Sequence, residues 1–536
     1  MTVDFNELKQ KIYSITLELK AKAPKDLSLL VDSLSFMINV MLEMTSSVLM
    51  QSETQTEQIK KLINKNDDLG SLIDELQETI RDLKSQLNQN SNNSSKPPSS
   101  DGYKKSPKKR SLRVSTGAKA GGQKGHKGAH LSVPHAPDEF KCHIPSKCQC
   151  CPNLKTCVAS GDVFTCAESR YVIEAKTITH VVEHQSMVAT NCPYSCPGKD
   201  EKLAGEFPAD VRGYVQYGNS VTVLAALLST YGAVAYNRIH FLLNGLFGIS
   251  LSTGTQNSMV KRCSDKIAPV MEKIRELLKD SDVVNFDETG LRALGKLFWV
   301  HDSSNDEYTY QSANEKRGSS GMEDNGVLPD FTGIAVHAGW PSYQNFEQIE
   351  HALCCAHLLR KLNAVRENEV NHIRAERFQK LLIRMKKAKG DAFSLGQTFL
   401  GKELLEEFSK DYDEIMSYAD KECPPPEVPK ERKRGKIRRG KTRALIERLK
   451  KFKDDVCSFA HNFAVPFDNN QAERDVHNVK TKTKVSGGFR SIKGAQDYLK
   501  IKSFISTGNK HGINAFDALT AAFSGNAKII LGKGSE

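Results

Sequence analysis

Acidic residues are missing altogether from Gly102 to Pro137, a stretch that carries Lys104, Lys105, Lys108, Lys109, Arg110, Arg113, Lys119, Lys124 and Lys127. A segment so one-sided cannot neutralise itself, which points to a polyanionic partner. A second dense basic block, KERKRGKIRRGKTR, runs from Lys430 to Arg443 and brings Arg432, Lys433, Arg434, Arg438 and Arg439 together. The chain as a whole, 536 residues with a formal charge of +12, is only mildly basic, so clustering and not total charge carries this inference. Long uncharged apolar runs are also missing. The most apolar early stretch, LSLLVDSLSFMINVMLEM, is broken by Asp32, Asn39 and Glu43 and reads as a buried or partner-facing helix, not a membrane span. No secretory leader is expected, and the thirteen cysteines therefore point to a reducing compartment, where closely spaced thiols bind metal more often than they form disulfides. The segment NQNSNNSSKPPSSDG lacks apolar periodicity and helix propensity alike, which makes residues 91–137 a basic Ser/Pro/Gly linker arm.

What the sequence does contain begins with a heptad pattern. From Ile59 the apolar residues step by three and four through Leu62, Leu69, Ile73, Leu76, Ile80, Leu83 and Leu87. Ile at a, Leu at d and a polar Asn66 at a favour a parallel two-stranded coiled coil, so residues 1–90 are expected to form a homodimerising helical region. The same periodicity also fits a hairpin packed on the Met-rich helix before it.

Eight cysteines lie between Cys142 and Cys196. Two pairs, Cys148 with Cys151 and Cys192 with Cys196, have knuckle spacing and flank RYVIEAKTITHVVEH, a stretch with strand character. Residues 138–200 are therefore expected to form a zinc ribbon holding Zn²⁺ through those four thiolates, with Cys142, Cys150, Cys157, Cys166 and His143 as further candidates. Residues 201–280 have helical periodicity. Within them YNRIHFLLNGLFGISLSTGTQNSMVKR has the rhythm of a helix-turn-helix, with Gly248 in the turn and Ser250 or Ser252 capping a second helix, a pattern that any helical hairpin also produces.

The segment VVNFDETG puts Asp287 at the end of an apolar run, and PFDNNQAER puts Glu473 one turn into a helix. Carboxylates from separate elements that converge can hold two divalent cations about 4 Å apart across a scissile phosphate. KLFWVHDSS, EYTYQSA and FTGIAVHAGW read as the next three strands, an order that suits a ribonuclease-H-like core in which the fourth strand lies beside the first. A third carboxylate is expected at the end of that fourth strand, but Ala338 stands there. Each residue also has a plainer role open to it. Asp287 suits a turn carboxylate with Glu288 as a competitor, Glu473 a capping partner of Asn470, His357 a packed helix residue, and Gly487–Gly488 beside Arg490 either a simple turn or an approach to phosphate.

The motifs NSSKPPSSDG with GGQKGHKG, the cysteine pairs, FDETG, FTGIAVHAGWPSY, CCAHLLRKL, FDNNQAERDVH and SGGFRSIKGAQDYLKIKSFISTGNKHGINAFDAL, in this order, resemble the DDE transposases of the insertion sequence 66 family. The resemblance covers residues 90–523, and departs from the family at VHAGW, where VHDGW is usual, and at Cys355, often Trp. It implies a multidomain α/β protein with an N-terminal coiled coil, a zinc ribbon, a helical DNA-binding segment, and a ribonuclease-H-like core in two parts, 281–353 and 467–536, around a helical insertion at 354–466. It also implies a bacterial, cytoplasmic, nucleoid-associated enzyme that cleaves double-stranded transposon ends and joins them to target DNA, with accessory transposition proteins among its expected partners. Asp287, position 338 and Glu473 would be its catalytic residues, with Asp287 and Glu473 carrying Mg²⁺ or Mn²⁺. His357 and Arg360 would contact phosphate or brace the site. With Ala338 the enzyme would be inactive as written. The intact VH and GW flanks favour one targeted change over gradual decay, and a DNA-binding regulator that no longer cuts is the alternative.

Overall fold

The structure, a computed structural model, describes residues 4–22, 24–90, 93–94, 136–166, 168–173, 178–187, 205–425 and 440–532. The basic arm with Lys104, Lys105, Lys108, Lys109, Arg110, Arg113, Lys124 and Lys127 lies outside these residues. So do Cys192 and Cys196, and Arg432, Lys433, Arg434, Arg438 and Arg439. The chain divides into two compact units, one made of Met1–Ser100, Lys361–Glu376 and Asp420–Leu445, the other of Asp101–Arg360, Arg377–Ala419 and Ile446–Glu536.

The chain opens with helix α1 (Phe5–Lys22) and helix α2 (Lys25–Leu87). Helix α2 runs unbroken through the Met-rich and the heptad segments, so these two cannot fold back on each other. Helix α1 instead lies along the start of α2, tied by Lys9–Glu43 at 3.0 Å and by the Lys20–Asp32 pair. The heptad residues Ile59, Leu62, Leu69, Ile73, Leu76, Ile80, Leu83 and Leu87 are all exposed. By length and composition alone α2 could cross a membrane, and it is the only such helix among the described residues. Its C-terminal end is held within the same unit, where Asn88 Nδ2 donates to Asn368 Oδ1 at 3.0 Å and Lys441 pairs with Asp82 at 3.2 Å.

In the cysteine-rich region two short helices, α3 (Ser146–Gln149) and α4 (Leu154–Ser160), follow Cys142. The described parts of RYVIEAKTITHVVEH form no strand. Its β-branched residues are exposed there, with no sheet face for them to cover. Helices α5 (Asn219–Thr230), α6 (Tyr236–Phe247) and α7 (Thr253–Lys279) come next. Gly248 ends α6 with φ +66, and Ser252, not Ser250, caps α7 by accepting the Thr255 N–H at 3.0 Å. Helix α7 extends well past Arg262, because its face of Cys263, Ile267, Met271, Ile274 and Leu278 is buried in the main core.

The sheet contains β1 (Val283–Ala293), β2 (Lys296–Ser304) and β3 (Thr309–Asn314), and, after helix α8 (Ser319–Asn325), β4 (Ile334–His337) and β5 (Glu350–Leu353). Its order is β3-β2-β1-β4-β5, with the first three strands antiparallel and β4 and β5 parallel to β1. The fourth strand thus lies beside the first, as the sequence suggests. Helices α9 (Cys355–Asn368), α10 (Ile373–Ser394), α11 (Lys402–Glu422), α12 (Gly440–Lys451) and α13 (Lys453–His461) separate β5 from the closing helices. Those are α14 (Asn470–Ser486), α15 (Ile492–Lys510) and α16 (Ala515–Phe523). Val284, Phe286 and Ala335 of the sheet pack with Ile501, Phe504 and Ile505 of α15 and the buried face of α7 into one core.

Beneath α14 lies a buried polar network that fixes it to the sheet. Asp475 Oδ1 accepts from Ser506 at 2.8 Å, and Asp475 pairs with Lys510 at 3.4 Å. Lys510 Nζ also donates to the carbonyls of Asn305 and Tyr308 at 2.7 and 2.8 Å. Burial, and then the charge of Asp475, push the Asp302 carboxyl well above its usual range, so one ammonium serves two acids. Removing one partner of a buried pair leaves the other uncompensated, at a cost of about 3–5 kcal/mol. Lys510→Met should lower unfolding stability by that order in urea titrations, whereas Lys493→Met on the exposed face of α15 should change it little.

Candidate active site

Asp287 occupies the middle of β1, not a turn after it, since the strand runs on to Ala293 and doubles back through a two-residue turn at Leu294 and Gly295, both with positive φ. Successive strand residues face opposite sides of a sheet, so Asp287 and Glu288 cannot share one site. Glu288 is spoken for. Its side chain is 4% exposed, accepts from the Tyr343 hydroxyl and pairs with Arg317 at 3.4 Å. Arg317 in turn lies over both tryptophans of the chain, 4.8 Å from the Trp299 ring centroid and 4.1 Å from that of Trp340. Asp287, on the other face, lies within the electrostatic reach of Glu473. Burial first, then the negative charges of Glu288 and Glu473, push its carboxyl up to about 7.

The β1–β4 register puts position 338 at the same end of the sheet as Asp287. Asn285 pairs with Val336 in this parallel ladder; Asp287 stands two residues further along β1, and Ala338 two residues further along the chain, just past the end of β4. The turn after β4 is held from several sides. His337 stacks on Tyr343 with ring centroids 4.2 Å apart, its Nδ1 accepts the Gly339 N–H at 2.9 Å, and its Nε2 meets His351 Nδ1 at 3.1 Å. Accepting at Nδ1 fixes the proton on Nε2, and burial, followed by the nearby His351 and Arg448, holds His337 neutral with a pKa well below the usual value.

Glu473 sits in the first turn of α14, yet it does not act as a capping residue. Its carboxylate accepts from Arg360 at 3.1 and 3.4 Å and lies 3.4 Å from His357 Nδ1, both on the first turns of α9. Arg360 also reaches His357 Nε2 at 3.3 Å, so the spacing of three puts both groups on Glu473. Cys354, His357 and Glu473 offer ligand atoms all within 4.8 Å of one another. Asn469, which precedes α14, donates Nδ2–H to the Phe286 carbonyl at 2.8 Å and its backbone N–H to Cys354 Sγ at 3.1 Å. The buried Oδ1 atoms of Asn285 and Asn469 have no hydrogen-bond partner.

The Asp287 carboxyl, raised by burial and by the negative charges of Glu288 and Glu473, suits a hard divalent cation, which would remove that repulsion and take up oxygen donors. A family model for the transposase IS66 family matches residues 215–497, more than half of the chain. The chain belongs to the IS66 transposase family. A second model, for a family of unknown function (DUF6444), matches residues 44–132, and no curated protein matches the sequence.

In this IS66 family transposase, Asp287, Ala338 and Glu473 come from β1, the turn after β4 and α14. Arg490 stands apart from them. It is exposed on the Gly487–Gly488 turn, which bridges onto the β1–β2 hairpin through Phe489 N–H to the Arg292 carbonyl at 2.8 Å. Sequence reasoning missed Tyr343, Arg317 and Asn469, although the tryptophan pair and the DNN run were visible signals. It also missed Arg448, which nothing local to VHAGW could reveal.

Proposed function

We propose that this IS66 family transposase has a ribonuclease-H-like DDE core whose second carboxylate position is occupied by Ala338. This reading is supported most by the parallel pairing of β1 with β4, whose register runs on towards Asp287 and position 338, and by the charge of Glu473 felt at Asp287. Asp287 and Glu473 would hold Mg²⁺ or Mn²⁺, which would supply Lewis-acid stabilisation of the attacking and leaving oxygens. The chain's own part is to present the two carboxylates from separate elements, Asp287 on β1 and Glu473 on α14. Arg360 and His357 keep Glu473 in one orientation, and the stacked His337 keeps the turn at 338 in shape. The basic arm and the block around Arg432–Arg434 would neutralise phosphates of the transposon ends and target, with the α6–α7 unit as a groove reader.

A DNA-binding regulator derived from a transposase is the second reading, favoured by the single observation of Ala338. The two separate in one experiment on duplexes carrying the ends of the encoding element. A transposase lacking one ligand binds both ends and cleaves once Ala338→Asp is made. A regulator binds equally well and cleaves neither before nor after.

The exposed heptad face of α2 would pair two subunits in parallel, which suits a reaction that holds two DNA ends. Deleting residues 53–88 should abolish two-end bridging and lower the mass seen by light scattering, while binding to a single end persists. An unchanged oligomer would mean that the helix is not the dimeriser.

The cysteine cluster would bind at least one Zn²⁺ through Cys148, Cys151, Cys192 and Cys196, since thiolates at such spacing favour a soft cation. Elemental analysis should find zinc near one ion per chain. Cys148→Ser with Cys151→Ser should remove it, and unchanged zinc would reject this ligand set.

A further inference from the structure

The turn that carries position 338 is gripped by a residue more than a hundred positions downstream. Arg448, in the last turn of α12, donates Nη2–H to the carbonyl of Ala338 at 3.2 Å and to that of Gly339 at 2.7 Å. Gly339 has φ +74, and a Cβ there would collide with the Arg448 guanidinium and come within 2.9 Å of Leu353. The left-handed glycine therefore does more than permit the turn, because it also leaves the space the guanidinium fills. The guanidinium is largely buried, and the Asp455 carboxylate of α13 lies within its electrostatic reach. Two backbone carbonyls at adjacent residues are a demanding target. Both bonds leave Nη2, and the planar guanidinium fixes the direction of its N–H groups, whereas an ammonium sits on a more flexible stem with rotatable donors.

We propose that Arg448 is a positioning residue for the metal ligand at position 338: it holds the Ala338–Gly339 turn open and fixed, so that a carboxylate at 338 is delivered beside Asp287. The proposal rests on the DDE reading given above. The helices between β5 and α14 are thereby part of the active-site architecture and not an accessory. A merely structural arginine would alter stability, and a phosphate-binding arginine would alter DNA affinity. A positioning arginine alters cation affinity and turnover.

The test uses the full-length chain carrying Ala338→Asp, with Arg448→Lys and Arg448→Ala added singly. Mn²⁺ affinity is measured by electron paramagnetic resonance, kcat and KM on end DNA by nicking, and exchange of the Gly339 and Trp340 amides by mass spectrometry. The expected result is a loss of Mn²⁺ affinity of roughly tenfold or more for Arg448→Ala, with a matching fall in kcat, an unchanged KM and faster exchange confined to residues 338–343. Arg448→Lys should recover part of the affinity. Should Arg448→Ala fail to fold, Arg448→Lys alone decides the matter through its Mn²⁺ affinity and exchange. Unchanged Mn²⁺ affinity in a folded variant, or a change in KM alone, overturns the proposal. If Ala338→Asp itself gains no cation-dependent cleavage, the DDE reading fails instead, which separates the two.

Discussion

Ala338→Asp should raise cation-dependent nicking of transposon-end DNA by roughly 10³-fold or more. A bound metal supplies several kcal/mol of charge stabilisation at a phosphoryl oxygen, and about 1.36 kcal/mol corresponds to tenfold in rate. The turn at 338 is held through His337, Tyr343, Arg448 and the backbone of residue 338, with no part played by the Ala338 side chain, so a carboxylate introduced there should leave the turn intact. The same substitution adds a negative charge beside Asp287, whose carboxyl is already pushed up to about 7. Without divalent cation the variant should therefore melt below the parent at pH 8, and Mg²⁺ or Mn²⁺ should reverse that difference. Gel-based nicking and thermal melting on one preparation check both halves.

Asp287→Asn should do the opposite to stability in the parent chain and, added to Ala338→Asp, abolish the cleavage gained there. The folded-state pKa of Asp287 is raised from 3.8 to about 7, so between these values the native state binds the proton that the unfolded chain releases. Stability then falls as pH rises from about 4 to about 7 and levels off above, which makes the ionised carboxylate a cost at pH 8. At about 1.36 kcal/mol per pKa unit this cost is on the order of a few kcal/mol. Asn is close in shape and uncharged. The variant should melt several degrees above the parent at pH 8 and at the same temperature near pH 4, and it should lose the stabilisation by divalent cations. Equal melting of the two proteins at pH 8 would mean that the carboxyl is solvated and the repulsion negligible.

Much of this arrangement can be read in the sequence, for reasons that differ by element. The strand order follows from short runs of β-branched and aromatic residues, and Ser252 and Gly248 mark the α6–α7 boundary by cap chemistry that is local in sequence. Which of Asp287 and Glu288 faces Glu473 is not local. Period-two alternation separates them, but only the packing of Tyr343 and Arg317 on one face and α14 on the other assigns the sides. The apolar run ending at Phe286 suggests a strand end at Asp287, whereas pairing with β2 carries β1 six residues further. RYVIEAKTITHVVEH has strand composition without a strand in its described residues, since propensity for a pleated surface needs a partner to express it. Arg448 was invisible because its target is a pair of backbone carbonyls, which any sequence supplies.

Asp287, position 338 and Glu473 are proposed to form one divalent-cation site for phosphodiester chemistry. Its most direct measurement is a Mn²⁺ titration followed by electron paramagnetic resonance, on the Ala338→Asp protein bound to end DNA, with Asp287→Ala and Glu473→Ala made singly in the same background. The expected result is two ions per site, magnetically coupled because about 4 Å separates such a pair, and loss of the coupled signal in either single variant. Mn²⁺ binding of the same stoichiometry and coupling in all three proteins would contradict it.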